Sequence, residues 1–361
     1  MRPAKVVAAA TIVLSACATI PEKGGGGERL PSAVAGPFRS LTQNELGNNR
    51  VAPNALEDDV FTRDPSVIDV DGDPATLEVA GYFGAAVAQG MTKPTATDPT
   101  RAILRFGALD GRSFDEAAEV VLTPADPWEG GVIGHPCALH VGKEIWLFYA
   151  AAGGIGLAKS SDGHAFTRVP GPVFGVAASG WDHDAVPTSP GVVLLDDGSL
   201  RMFYESPVSP DSSAIGEAGS SDGVTWTRRD NKPSLAPSAP GSDADPPYDD
   251  AAVGSPSPIV ALSTDGRATL RMYYGARNHL GARVIGLAAR YMEAPDREFQ
   301  RSTAPVFGTT KPLAPSEPSA LIYPDFTLLF ATENSSTSSP SPAVAVAVAP
   351  ALTTLPAPDP R

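Results

Sequence analysis

Five short segments of the sequence share a proline that follows a polar residue and precedes two mostly apolar positions. The residue before the proline varies, and three of the five are an aspartate, a histidine and a glutamate. A purely structural position would be expected to hold similar residues in every copy. An aspartate and a glutamate brought together can act as general base and general acid. The segments are Asp64-Pro65-Ser66-Val67-Ile68, His135-Pro136-Cys137-Ala138-Leu139, Ser189-Pro190-Gly191-Val192-Val193, Ser255-Pro256-Ser257-Pro258-Ile259 and Glu317-Pro318-Ser319-Ala320-Leu321.

The elements that position these residues repeat with them. The residues before the prolines are 71, 54, 66 and 62 positions apart along the chain. In each unit the segment is followed by a second apolar run, which is rich in aromatic residues in most units, and then by a third short run. Three units continue into an Asp-Gly turn typical of hairpins. Five units of about four short strands predict an all-β, five-bladed β-propeller. Two stacked sandwiches are the competing fold, and they do not explain one segment repeated five times.

Parts of the sequence resemble those of the five-bladed propellers of glycoside hydrolase family 43 and its relatives. The resemblance covers about residues 57 to 350, and it specifies the fold more strongly than the chemistry. The resemblance implies that Asp64 is the general base, and that a second aspartate and a glutamate that acts as general acid come from later blades. The segments that carry it are Thr62-Arg63-Asp64-Pro65-Ser66-Val67-Ile68, Ile155 to Gly163 and Ile215 to Arg228.

The sequence departs from the family where the later carboxylates are expected, because Ser189 and Ser255 stand there. Glu317 is the glutamate of the fifth segment and is the candidate general acid, with a pKa raised by burial and a like-charged neighbour. Asp184 and Asp250 are further candidates near the third and fourth segments. Their neighbours Asp182 and Asp249 belong to a repeated aromatic-acid pair, as does Glu129 in the second unit, which favours a structural role.

Other side chains could contact a sugar. His135 could bind a sugar hydroxyl group, act as an acid or help to ligate a central cation, and His183 is a weaker candidate for the site. Trp181 and Tyr248 could stack on a sugar ring, although their shared register also suits core packing between blades. No spacing of histidine and cysteine predicts a zinc site, and no glycine-rich loop predicts phosphate binding. We therefore expect no cofactor and no metal from the motifs, while the resemblance allows a central cation such as calcium.

The N-terminus predicts export and lipid attachment. A positive start is followed by a short apolar run and by Leu14-Ser15-Ala16-Cys17, which resembles a bacterial lipobox. We expect a signal peptide over residues 1–16, lipidated Cys17 with a flexible tether over 17–45, the propeller over 46–350 and a tail over 351–361. The lipid on Cys17 would anchor the protein to the bacterial cell envelope.

The net charge of −14 argues against nucleic acid as a partner, since phosphates require basic patches. We expect a monomer whose partners are the membrane, through its lipid, and a carbohydrate. Two kinds of function remain open from the sequence. One is hydrolysis of a glycosidic bond by paired carboxylates. The other is a non-catalytic propeller that has lost its acid and binds glycans or proteins.

Overall fold

The computed structural model describes residues 36–42, 45–46, 60–71, 77–87, 98–114, 117–263, 267–308, 314–323, 326–334 and 342–349. Cys17, the predicted signal peptide and the predicted tail lie outside these residues. Among the described residues, no helix is both long and apolar enough to cross a bilayer. The structure is built from five four-stranded antiparallel sheets, so the prediction of a five-bladed β-propeller is confirmed.

The first four blades follow the chain, with each strand paired to the next. The first blade contains β2 (Val60–Asp69), β3 (Val79–Val87), β4 (Ala102–Ala108) and β5 (Glu119–Leu122). The second contains β6 (Ile133–Val141), β7 (Glu144–Ala151), β8 (Gly154–Ser160) and β9 (Thr167–Arg168). The third contains β10 (Thr188–Leu194), β11 (Leu200–Ser209), β12 (Ser212–Ser220) and β13 (Thr227–Arg228). The fourth contains β14 (Ala252–Leu262), β15 (Ala268–Arg277), β16 (Arg283–Tyr291) and β17 (Gln300–Arg301).

The fifth blade joins the two ends of the domain. It contains β18 (Pro315–Ile322), β19 (Thr327–Asn334) and β20 (Pro342–Ala349), and its outermost strand is β1 (Arg39–Ser40) from the start of the chain. Arg39 pairs with Val348, and Phe38 is buried against the fourth and fifth blades. These residues lie within the range predicted as tether, so an N-terminal strand that closes the ring takes up part of that range. Closure leaves few strand edges open.

The core lies between consecutive blades. Five buried apolar clusters each join one blade to the next, and the fifth blade to the first. The aromatic second strands supply much of this packing: Phe83, Phe148, Phe203, Tyr273 and Phe330 are fully buried. Large aromatic side chains at this register bury the most apolar area per residue, which is why the pattern repeats in the sequence.

A buried carboxylate before the first strand of three blades ties that strand to the rest of its blade. Each accepts a hydrogen bond from the hydroxyl group of a second-strand tyrosine. One oxygen of each carboxylate also lies 2.8 to 3.0 Å from the Nε atom of a fourth-strand arginine. This geometry agrees with the structural role that the repetition favoured. The three sets are Glu129 with Tyr149 and Arg168, Asp182 with Tyr204 and Arg228, and Asp249 with Tyr274 and Arg301.

A bulge interrupts the first strand of every blade at the proline segment. The residue before the proline has positive φ in all five blades, between 44° and 55°. Non-glycine residues adopt this conformation at a cost of about 1–3 kcal/mol, and bulges of this kind turn a side chain out of the regular alternation. The five residues are Asp64, His135, Ser189, Ser255 and Glu317.

Candidate active site

The five bulges bring their side chains together at the propeller axis. Asp64, His135, Ser189, Ser255 and Glu317 line one small central cavity with the prolines that follow them. Above it opens a cleft of about 580 Å³ between the third, fourth and fifth blades. Four of the five bulge residues line this cleft too, all but Asp64. A cleft of this size suits a small ligand, and the axial residues form its inner end.

The carboxylate of Asp64 is buried and is bonded to the backbone of the next blade. Its side chain is 2% exposed, and its Oδ2 atom accepts a hydrogen bond from the backbone N–H of His135 at 3.1 Å. A Cβ atom on Gly84 would lie 2.7 Å from that oxygen, so a glycine on the second strand makes room for the carboxylate. Asp64 Oδ1 has no hydrogen-bond partner in the described structure. Oδ1 is therefore the Asp64 oxygen that can still accept a hydrogen bond or hold a proton or an ion.

Glu317 lies next to Asp64 across the closure of the ring. Its Oε2 atom accepts the backbone N–H of Asp64 at 3.3 Å, and one carboxylate oxygen from each residue lies within 4.8 Å of the other. Burial, followed by the negative charge of Asp64, raises the pKa of Glu317 to about 8. At neutral pH Glu317 is therefore mainly protonated and can donate a hydrogen bond or a proton, as a general acid must.

His135 completes the axial group. Its Nδ1 atom lies 3.5 Å from Asp64 Oδ1 and 3.3 Å from the hydroxyl oxygen of Ser189. Asp64, His135 and Glu317 each offer one ligand atom within 4.8 Å of the others. This donor set of two carboxylates and one imidazole fits a small divalent cation. It supplies few of the six to eight oxygen ligands that calcium prefers.

Glu205 is a second glutamate of the cleft, and it is not among the candidates predicted from the sequence. It lies on β11 and lines the cleft, where its Oε2 atom accepts the backbone N–H of Ser255 at 2.9 Å. A Cβ atom on Gly254 would clash with its carboxylate at 2.1 Å. A signal was available, because the residue after the buried aromatic pair of the second strand is Gly84, Ala150 or Gly275 in three other blades and a glutamate only here.

The other candidate side chains lie away from the axis. Asp184 is 90% exposed, and Asp250 is bonded to the backbone and ring of His279. His183 is also exposed, and its ring contacts the carbonyl oxygen of Gly180. None of these residues lines the central cavity or the cleft.

Trp181 and Tyr248 are packing residues of the blades. The ring of Trp181 stacks on Tyr204 with a centroid distance of 6.3 Å. The hydroxyl group of Tyr248 is bonded to Tyr274 at 3.0 Å, and its ring packs against the core between the third and fourth blades. Neither lines the cleft, so of the two alternatives weighed for them the structure favours packing between blades.

The position two residues after each bulge links the blades around the axis. Ser66, Ser257 and Ser319 each accept a backbone N–H from the next blade through their hydroxyl oxygen. Cys137 does so through its sulfur atom. The third blade has Gly191 there, where a Cβ atom would lie 2.1 Å from the carbonyl oxygen of Pro256. The link is thus absent between the third and fourth blades, beside the cleft, and Glu205 supplies a different contact there.

The fold can be compared with known proteins. No protein-family model matches the chain, and no curated protein matches it either. Solved structures do match. A structure described as a glycoside hydrolase superposes with a TM-score of 0.61 at 13% identity, covering 89% of this chain and all of the other. A thermostable family-43 glycoside hydrolase gives 0.56 at 16% identity, covering 85% and 97%.

An endo-arabinase from Bacteroides thetaiotaomicron superposes with a TM-score of 0.58 at 11% identity, covering 82% of this chain and 95% of the other. These identities establish likeness of fold and leave the chemistry to the site itself. The chain has the five-bladed fold of family-43-like glycoside hydrolases, so the resemblance is confirmed at the level of the fold.

Proposed function

We propose that this propeller acts on a carbohydrate at the inner end of the cleft, cleaving a glycosidic bond with paired carboxyl groups. One observation carries the proposal: the carboxyl groups of Asp64 and Glu317 lie together where the cleft meets the axis. The raised pKa of Glu317 supplies the protonated partner of such a pair. The names of the similar structures agree with a carbohydrate as the ligand.

The two carboxyl groups would divide the work. Glu317, protonated at neutral pH, would donate its proton to the leaving glycosidic oxygen. Asp64, whose Oδ1 atom has no hydrogen-bond partner in the described structure, would attack the anomeric carbon or activate a water molecule. Retaining enzymes place their carboxyl groups about 5–5.5 Å apart and inverting enzymes about 6.5–9.5 Å apart. The oxygens of Asp64 and Glu317 lie within 4.8 Å, so this pair predicts retention of anomeric configuration.

Glu205 is the alternative acid. It lies one blade further from Asp64 than Glu317 does. Its carboxylate is bonded to the backbone of Ser255, the fourth-blade residue that stands where the resemblance implies a carboxylate. A wider pair leaves room for a water molecule, so an Asp64–Glu205 pair predicts inversion. Proton NMR of the first-formed anomer during hydrolysis therefore distinguishes the two acids.

Hydrolysis of a panel of aryl glycosides and polysaccharides tests the proposal. We expect Asp64→Asn and Glu317→Gln to lower kcat by about 10²–10⁴-fold, the usual contribution of a general acid or base. Asp184→Asn is the matched control, because its carboxylate is exposed away from both cavities, and its rate should equal that of the wild type. Binding of saccharides without hydrolysis by the wild type would favour the glycan-binding alternative. No binding at all would favour a protein-interaction propeller.

We also propose that the chain is exported and anchored to the cell envelope through a lipid on Cys17. The lipobox-like Leu14-Ser15-Ala16-Cys17 and the positively charged start support this. Labelling with radioactive palmitate should mark the membrane fraction of the wild type and leave Cys17→Ser unlabelled. Equal labelling of both proteins would refute the anchor without affecting the proposal for the propeller.

Sedimentation of the propeller should give the mass of a monomer.

A further inference from the structure

Two arginines face each other on the outer wall of the cleft. Arg277 ends β15, Arg283 begins β16, and the two residues are direct partners in the antiparallel pairing of these strands. Both line the cleft. Like charges placed directly opposite each other disfavour a strand pair. An anion held between the two guanidinium groups would remove that repulsion.

Neither arginine has a carboxylate partner within the part of the chain that the structure describes. Arg277 donates to the backbone carbonyl oxygen of Asp211, and Arg283 is exposed. Several of the other described arginines form ion pairs with carboxylates, which Arg277 and Arg283 do not. The paired examples are Arg168, Arg228, Arg290 and Arg301, whose partners are Glu129, Asp182, Glu217 and Asp249.

The arginine pair lies within reach of the axial carboxyl groups. Gly275, two residues before Arg277, borders the inner end of the cleft, where a Cβ atom would lie 3.7 Å from the backbone nitrogen of Glu317. Residues two apart on a strand point to the same face and are about 6–7 Å apart. Arg277 therefore lies on the same face of β15 as Gly275, one step further from the inner end of the cleft. The missing side chain at Gly275 leaves space between Glu317 and the guanidinium group.

The cleft is thus divided by charge. Its inner end carries Glu205 and Glu317, while its outer wall carries Arg277 and Arg283 together with one acidic residue, Asp211. An arginine fork matches the geometry of an oxyanion and binds it through two parallel hydrogen bonds.

We propose that Arg277 and Arg283 bind a negatively charged substituent of the saccharide, so that the cleft selects an acidic glycan. The inference rests on the proposed carbohydrate function and adds the substrate class. A sugar ring next to Glu317 and Glu205 would direct its charged group, the carboxylate of a uronic acid or a sulfate ester, toward the arginine pair.

Isothermal titration calorimetry with matched tetrasaccharides tests this on the full chain. The probes are oligomers of galactose, galacturonate and sulfated galactose, and of mannose and mannuronate. We expect the wild type to bind an acidic oligomer about tenfold or more tightly than its neutral counterpart, as expected for charge-assisted hydrogen bonds. Arg277→Gln and Arg283→Gln should reduce the preference to about twofold or less. Arg297→Gln is the control, an exposed arginine that lines a different cavity.

Four outcomes are informative. An arginine-dependent preference supports the proposal, and the comparison of galacturonate with sulfated galactose identifies the charged group. Equal binding of neutral and acidic oligomers overturns it while leaving the carbohydrate function intact. A preference that survives both substitutions also overturns it, because other groups would then provide the selectivity. No binding of any oligomer overturns the carbohydrate function together with this inference.

Discussion

The substitution Asp64→Asn should lower the pKa of Glu317 without changing that of a second buried glutamate. Burial is the largest cause of the raised pKa of Glu317, and the charge of Asp64 is the next. Asparagine keeps the shape of the side chain and removes the charge. Glu333 provides an internal reference, because burial alone raises its pKa to about 7.

The size of the effect follows from the distance between the two carboxylates. Two unit charges at 4.8 Å, the upper limit of this separation, interact by roughly 3 kcal/mol at an effective dielectric constant of about 20, and by less where the cleft admits water. One pKa unit corresponds to about 1.4 kcal/mol. Since burial accounts for the larger part of the rise from 4.5 to about 8, we expect a fall of about 1–1.5 units.

Carbon-13 NMR of protein labelled at the glutamate carboxyl carbon measures this directly. The titration runs from pH 4 to pH 10 on chelator-treated protein, with Glu317→Gln and Glu333→Gln to assign the two resonances. In Asp64→Asn the Glu317 midpoint should move to lower pH while the Glu333 midpoint stays in place. The reasoning fails if Glu317 titrates near 4.5 in the wild type, or if removing the Asp64 charge leaves its midpoint unchanged.

Three further predictions concern stability. The raised pKa of Glu317 means that the folded state binds the extra proton between pH 4.5 and about 8, so the unfolding free energy should fall with rising pH across that window, by up to about 1.4 kcal/mol per pH unit. Glu317→Gln should flatten that slope in denaturant titrations, and an unchanged slope would contradict the assignment. Gly191→Ala places a Cβ atom 2.1 Å from a backbone oxygen of the next blade, so its stability should drop by about 1–3 kcal/mol; Gly219→Ala meets nothing within 4 Å and should not change the melting temperature comparably. Asp182→Ala removes a buried ion-pair partner and should lower the free energy of unfolding by about 3–5 kcal/mol, while saccharide binding survives at a temperature where the protein is folded. The exposed control Asp184→Ala should alter neither stability nor binding. Loss of binding in folded Asp182→Ala would place Asp182 in the site.

Much of the fold could be predicted from the chain because each blade repeats a local pattern. The proline segments, the aromatic second strands and the Asp-Gly turns depend on neighbouring residues only. β1 could not be predicted in this way, since it pairs with β20 at the far end of the chain and has only two residues. Its register depends on ring closure, which no local pattern encodes.

The candidate site was partly predictable for the same reason. Asp64, His135 and Glu317 stand out because they vary at a position whose proline is uniform, and the structure places them together. Asp184 and Asp250 were chosen because they are near the segments in sequence. A bulge turns one residue of each strand toward the axis, so neighbours a few positions away point elsewhere. Glu205 lies on a second strand and enters the cleft only because Gly254 of the next blade leaves space.

The sequence alone therefore determined the number of blades, the order of the first three strands in each blade and the chemical identity of the axial residues. These properties repeat every 54 to 71 residues and need no distant contact to be read. Only the tertiary structure decided which carboxyl groups meet, how burial changes the pKa of Glu317, and where the cleft opens. Those depend on distances between residues as far apart in sequence as Asp64 and Glu317, which become neighbours only when the first and last blades close the ring.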